Sequence, residues 1–430
     1  MKGGLEGYDR AVDRGRSRWP VALVAAVVVA EAAVLLLRPR DGVIDPASVN
    51  ARSYFSPAEL DRARDYRRPQ LAIYGAQLAI QGGLLILLVR RPPRRLAQAL
   101  RGPHRRPLVA GAAVGAGLAL AIDLATLPLG AVSHKRAVDV GLSTQDWGPW
   151  AVDLAKATGI GTVLAGAGGA LLLGLVRRFP RMWWAPASAG AVLVAVAFMY
   201  AGPVVLDPVF NRFEALPAGQ ARTDVLELAR RAGVDVGEVY EVDASRRTTA
   251  ANAYVTGLGQ TKRVVLYDTL LQNFTRDEVR LVVAHELAHV RYRDVPHGLL
   301  FLAIVAPLTL LTAQRLTERL SPDRDTASVL PAAALAIALV SIPISVLGNQ
   351  LSRGVEARAD TYSLELTNAP DPFISFERRI AVRNVADPDP PSWRTALLAT
   401  HPPTIERIGA AVAYDRLTPG EDRRETRGGS

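Results

Sequence analysis

Two histidines four residues apart enclose a glutamate in the run Ala284-His285-Glu286-Leu287-Ala288-His289-Val290. On an α-helix such residues stand one above the other on a single face, so both imidazoles reach one cation. The pair suits Zn²⁺, and Glu286 beside it can take a proton from a water at the metal, which is the chemistry of hydrolysis. Thr275, followed three residues later by Glu278, is a capping box that predicts the start of this helix. Leu281, Val282, Val283, Leu287 and Val290 would set it in an apolar core, where imidazoles without a ligand are costly. Two satisfied histidines on an ordinary helix are the plain alternative. With six histidines in the chain, that register arises by accident in on the order of one such chain in several hundred.

A catalytic zinc needs a third protein ligand and one open position. The available donors are Glu356, Asp360, His401, His297 and Asp294. Asp294 follows His289 by five residues, where the chain is expected to leave the helix, and His297 lies further out. Glu356 and Asp360 fall in a segment, 352–360, that reads as the start of a helix after the last apolar stretch. Four apart, they share a face. Glu356 could ligate zinc while Asp360 accepts a hydrogen bond from a ligand imidazole. Elsewhere the same spacing describes an acidic pair on a solvated face.

The elements that must position these residues are mostly apolar. Of the 430 residues 49% are hydrophobic and 21% charged, and the two kinds are segregated along the chain. Five stretches, 19–37, 70–89, 108–130, 151–176 and 185–206, are each long enough for a membrane-spanning helix. The first runs past the signal-peptide-like Ala30-Glu31-Ala32, so it reads as an uncleaved anchor. Trp147, Trp150, Trp183 and Trp184 fall at span ends, where indoles favour the interface. Glu31 and Asp123 are acids within spans and therefore candidate functional groups. The net charge of +10 is concentrated in 90–106 and 177–181, between apolar runs. Basic loops there need only the positive-inside rule, so nucleic acid is not expected as a partner. The absence of cysteine excludes disulfides, thiolate zinc sites and a cysteine nucleophile.

From 207 the character becomes that of a soluble domain, with a helix expected over 219–232 and strands over 239–243, 253–256 and 263–266, punctuated by Gly257 and Gly259. Two further apolar stretches, 298–312 and 329–347, read as a membrane hairpin, the first of them short and interrupted by Pro307. The expected organisation is a basic tail 1–18, five spans in 19–206, a first catalytic part 207–297, a hairpin 298–350, a second catalytic part 351–415 and a disordered tail 416–430. The fold class is a mainly α-helical polytopic membrane protein of about seven transmembrane helices with an α+β zincin-like catalytic domain.

Five local matches give the chain a family resemblance: Pro208-Val209-Phe210-Asn211-Arg212-Phe213, Asn252-Ala253-Tyr254-Val255-Thr256-Gly257, the H-E-L-A-H helix, Ser352-Arg353 through Glu356 to Asp360, and His401-Pro402-Pro403 with Arg407. In this order they resemble the membrane gluzincins, the type I CAAX prenyl endopeptidases and their bacterial relatives. Ala288 stands where many relatives have glycine, and the N-terminal spans match chiefly in number. The resemblance implies one zinc per chain, held by His285, His289 and Glu356, with Asp360 behind them. It implies Glu286 as the proton shuttle, and His401, with Arg407, as the donor to the oxyanion. It also implies Asn252, Ala253 and Tyr254 as an edge strand for an extended substrate. The partners would be a peptide or protein at the membrane, possibly lipidated, and the bilayer itself. Removal of a prenylated C-terminal tripeptide and quality control of damaged membrane proteins both fit. A transporter would leave the H-E-L-A-H helix unexplained, and an inactive binding protein would not need every residue of the chemistry. The basic loops 90–107 and 177–181 are expected in the cytoplasm, which puts both catalytic parts on the other face of the cell membrane.

Overall fold

The computed structural model describes residues 19–101, 106–257, 262–321 and 326–418. The basic tail 1–18, Gly259 and residues 419–430 lie outside the described residues; the disorder expected from 416 is not seen at 416–417, which are helical.

Among the described residues, seven helices are long and apolar enough to cross a membrane. The first four are α1 (Trp19–Leu37), α2 (Pro57–Arg90), then, after the short α3 (Arg94–Arg101), α4 (Pro107–Asp139) and α5 (Trp147–Arg178). The fifth is α6 (Trp184–Val205), extended by one turn, α7 (Asp207–Phe210). α2 begins well before its apolar stretch, at a capping box in which Ser56 caps Glu59, and Pro69 lies inside it. α4 and α5 cross closely because glycines face each other: a Cβ on Gly111, Gly115 or Gly169 would collide with the opposing backbone. Small residues bring helices together in this way where no hydrophobic effect drives them. Val21, Val163 and Leu193 are each about 70% exposed, so the outer faces of these helices are apolar without protein cover.

The expected hairpin differs from its sequence reading. Its first arm is α11 (Asp294–Leu320), 27 residues and continuous through Pro307, so it is not short. A proline is tolerated inside a spanning helix where neighbours or local backbone adjustment can meet the carbonyl it frees. Its second arm, α12 (Val329–Thr367), does not end at the membrane. One 39-residue helix, about 58 Å long, carries both the apolar stretch and, beyond it, Glu356 and Asp360.

The polar domain holds a four-stranded sheet in the order β1-β2-β4-β3. The strands are β1 (Phe213–Ala215), β2 (Glu238–Val242), β3 (Ala253–Thr256) and β4 (Arg263–Tyr267). β2 and β4 run parallel; β1 and β3 pair antiparallel on the outside, with Ala253 opposite Leu266. α8 (Gln220–Ala232) ends at Gly233, whose φ of 66° a side chain would strain. After α9 (Asp268–Asn273) comes α10 (Arg276–Arg291), begun by the expected Thr275–Glu278 capping box. Val225, Leu228, Val264, Leu266, Val283 and Leu287 form the core between the sheet and these helices. The chain closes with α13 (Pro370–Arg383), α14 (Ser392–Leu398) and α15 (Thr404–Leu417).

Candidate metal centre

α10 buries Leu281, Val283, Ala284, Leu287 and Ala288, which leaves His285, Glu286 and His289 on its remaining face. α12 passes in front of that face and brings Glu356 opposite. The Nε2 atoms of His285 and His289 are 3.3 Å apart. Glu356 Oε2 lies 3.2 Å from the first, and Glu356 Oε1 lies 3.8 Å from the second. Ligands about 2.0–2.1 Å from a tetrahedral zinc are themselves about 3.3–3.4 Å apart, close to the separations of the two imidazoles and of His285 from Glu356, with His289 and Glu356 slightly further apart. Glu286 also has a carboxylate oxygen within 4.8 Å of both imidazoles.

The far side of each imidazole is held by a carboxylate. Asp360 Oδ1 lies 2.9 Å from His285 Nδ1, and Asp294 Oδ2 lies 2.9 Å from His289 Nδ1. A proton kept on each Nδ1 leaves both Nε2 lone pairs aimed at the common point, which is the donor set a cation needs. The surroundings favour positive charge. Burial opposes protonation of His285, yet its hydrogen bonds to Asp360 and Glu356 prevail and lift its pKa to about 10. Burial also pushes the Glu286 carboxyl upward, against the pull of the two histidines, as suits a group that must accept and return a proton.

Behind each carboxylate stands an arginine. Arg407 donates to both oxygens of Asp360, Nε at 2.7 Å and Nη2 at 2.5 Å, and its Nη1 lies 2.8 Å from Glu377. Arg358 donates to Asp294 at 2.5 Å. Arg407 thus meets Asp360 and Glu377 rather than His401. His401 stands on the open side, its side chain 60% exposed, with Nε2 3.3 Å from Glu356 Oε2. His297 is turned away, 2.8 Å from the Arg293 carbonyl of its own turn.

A cavity of about 660 Å³ opens in front of this centre, lined by Asn252, Tyr267, His285, Glu286, His401 and Arg407 among others. β3 lies at the edge of the sheet, so one side of its backbone is unpaired among the described strands. Of the three residues expected on a substrate strand, Asn252 reaches the cavity. Tyr254 instead donates its hydroxyl to Asp207 at 3.1 Å, and neither it nor Ala253 lines the cavity.

Sequence reasoning missed Arg358 and Glu377, and it set Asp294 aside. Asp294 was expected to leave with the chain, but Arg293 adopts φ 56°, a left-handed turn that starts α11 and returns Asp294 to His289. An Asp within a turn of a ligand histidine was the available signal. Glu377, only 1% exposed, carried none, because its partner is thirty residues away.

Comparison with known proteins gives a consistent picture. The model of peptidase family M48 matches residues 215–415, and that of the CAAX prenyl protease N-terminal part, five membrane helices, matches 46–212. The uncharacterized metalloprotease YhfN of Bacillus subtilis is 30% identical over 314 residues, 71% of this chain and 74% of that protein. The CAAX prenyl protease 1 homolog of Oryza sativa subsp. japonica is 29% identical over 232 residues, about half of each chain at 52% and 54%. The crystal structure of S. mikatae Ste24p superposes with a TM-score of 0.75 at 18% identity, over 92% of this chain and 99% of that one, which shows a shared fold.

Proposed function

The chain belongs to peptidase family M48 and is a multi-pass membrane metalloprotease, and on that premise we propose that His285, His289 and Glu356 hold one zinc ion at which Glu286 drives peptide hydrolysis. The observation that carries the reading is the convergence of three donor groups, two imidazoles and one carboxylate, at 3.2–3.8 Å beside an unpaired sheet edge.

Zinc, when bound, supplies Lewis acidity to the scissile carbonyl and to the attacking water. The other roles fall to the chain itself. The free edge of β3 hydrogen-bonds an extended substrate main chain, with Asn252 at the mouth of the cavity. Glu286 takes the proton of the attacking water and delivers it to the departing amine nitrogen. His401, on the open side, donates to the carbonyl oxygen as negative charge gathers on it. Asp360 and Asp294 fix the imidazoles, and Arg407 holds Asp360 in place, a positioning role rather than a catalytic one. The substrate is a peptide or protein at the membrane; removal of a C-terminal tripeptide from a lipidated protein is the leading candidate, favoured by the relatives named CAAX prenyl protease 1, and membrane-protein quality control is the second.

Zinc analysis paired with peptide cleavage tests the centre. Glu286→Gln should keep zinc and lose turnover by several orders of magnitude, because it removes the proton shuttle and no ligand. Glu356→Ala should lower zinc occupancy; full zinc and full rate would remove Glu356 from the ligand set. The plasma membrane, with the catalytic face outside the cytoplasm, is the proposed location. It rests on the seven arginines and no acid of 90–107. In this cysteine-free chain, Ser245→Cys and Ser392→Cys should react with an impermeant maleimide on intact cells while Gln98→Cys stays unlabelled. Labelling of Gln98→Cys alone would invert the orientation.

A further inference from the structure

A second, smaller pocket of about 430 Å³ lies outside the metal centre, between the outer turns of α2, the loop after α4, and α13. Four arginines line it, Arg62, Arg378, Arg379 and Arg383, together with Glu59 and Thr249. Two of the four are matched by acids: Arg378 donates to Glu59 at 3.0 Å and Arg379 to Glu278 at 2.5 Å. The other two are not. Arg62 spends Nη2 on the Val140 carbonyl at 2.7 Å, and Arg383 spends Nε on the Thr249 carbonyl at 2.5 Å. Among the described residues neither has a carboxylate within ion-pair distance, and the Nη1/Nη2 fork of Arg383 has no acceptor. Burial and the neighbouring Arg379 both disfavour the charge on Arg383. The pocket therefore holds two positive charges in excess, with donors in the planar arrangement that suits a tetrahedral oxyanion.

The pocket shares a wall with the catalytic cavity. Thr248, Ala250, Ala251 and Asn252 line the cavity, while Thr249 between them lines the basic pocket. The wall is fastened from α13 by Arg383 on Thr249 and by the Asn384 side chain, which accepts from the Ala251 amide at 3.4 Å.

We propose that this pocket is a binding site for a phosphate group, and that its occupation steadies the segment leading into β3. A bound phosphate offsets the repulsion between Arg379 and Arg383 and keeps Arg383 docked on Thr249, so the substrate edge is presented ready-made. The phosphate belongs to a soluble molecule. Arg62 precedes Gln70, where the apolar part of α2 begins, by eight residues, about 12 Å along the helix, whereas the polar zone of one leaflet is about 5–8 Å deep. The binding claim is independent of the peptidase reading; only the effect on substrate affinity rests on it.

The test uses full-length zinc-loaded protein in detergent, with inorganic phosphate titrated at constant ionic strength. The expected result is a saturable rise in Tm and a severalfold fall in KM for peptide, with kcat little changed. Arg62→Gln should weaken phosphate binding about tenfold, the loss of one charge-assisted hydrogen-bonding group, while basal cleavage stays as in the parent. Arg383→Lys, which keeps a donor for Thr249, should weaken binding without unfolding the wall. Arg177→Gln, at the end of α5, should leave the response intact. Protection by vesicles of phosphatidylglycerol but not by inorganic phosphate would overturn the soluble source in favour of a lipid headgroup. No saturable shift from either, a shift that survives Arg62→Gln with Arg383→Lys, or a response to an acidic peptide alone would overturn the site. A saturable shift with unchanged KM would overturn its coupling to the substrate strand.

Discussion

His285 and His289 are the same residue on the same helical face, yet they are held by unequal arms. The His285 arm runs through Asp360 to Arg407 and Glu377; both acids are almost wholly buried, and the arginine grips Asp360 with two parallel bonds. The His289 arm runs through Asp294 to Arg358 by a single bond, with the guanidinium lying over the Tyr292 ring 4.1 Å from its centre. Asp294 is five residues from its histidine and belongs to the adjoining turn, whereas Asp360, Glu377 and Arg407 come from three helices far along the chain. The first arm can exist only when both halves of the polar domain have closed on each other. In the second, the junction of α10 and α11 makes the His289–Asp294 contact, and only Arg358 arrives from α12. One ligand thus reports on global closure and the other on a local turn.

His401 belongs to neither arm, and its removal gives the largest expected effect outside the centre itself. His401→Ala should lower kcat by about 10²-fold or more and leave zinc content unchanged, as for one lost oxyanion donor. A change confined to KM would make it a substrate contact instead. The arms themselves are distinguished next. Changing a residue that orients a metal ligand costs about 10–100-fold in metal affinity or activity. Asp360→Asn should lie at the upper end, since Arg407 then stays buried without its strongest partner, and Asp294→Asn at the lower end. Competition with a chelator of known affinity ranks them, and equal losses would dissolve the distinction. The smallest effect concerns the opposite end of the zinc helix. Asp224 binds Arg276 at 2.6 and 2.7 Å and Arg280 at 3.1 Å, and so ties α8 to α10. Burial raises its pKa, but the Arg276 and Gln220 hydrogen bonds and both arginine charges outweigh it, and the carboxyl is held below its ordinary range. A depressed carboxyl stabilises the fold above its unfolded pKa and loses that contribution as pH falls through the folded value. Asp224→Asn should therefore lower Tm near neutral pH, and the gap to the parent should close as pH drops below 3.8. A gap that persists there would mean the loss is one of packing, not charge.

Much was legible in the chain. The H-E-L-A-H register, the Thr275–Glu278 cap, the strand 253–256 and the seven apolar helices are local properties. Periodicity of 3.6, a side chain bonding a backbone three residues on, and a run long enough to span a bilayer are satisfied within a short segment, so the order of residues is enough to specify them. Other features depended on what meets what. The sequence suggested that a helix begins near 352, but α12 runs on from the membrane without a break, because nothing in 348–355 ends a helix and tertiary packing rewards its continuation. Arg293 had no sequence mark of its left-handed turn, which only the docking of α11 makes worth its strain. The partner of Arg407 is Asp360, not His401, since a buried guanidinium goes to the carboxylate that compensates its lost hydration. The position of β3 at the edge of the sheet followed from strand order, which no single strand encodes. Residue spacing determined which groups could share one ion. Which carboxylates and arginines stand behind them was decided by the packing of helices distant in sequence, where burial makes every unpaired charge costly and so selects its partner.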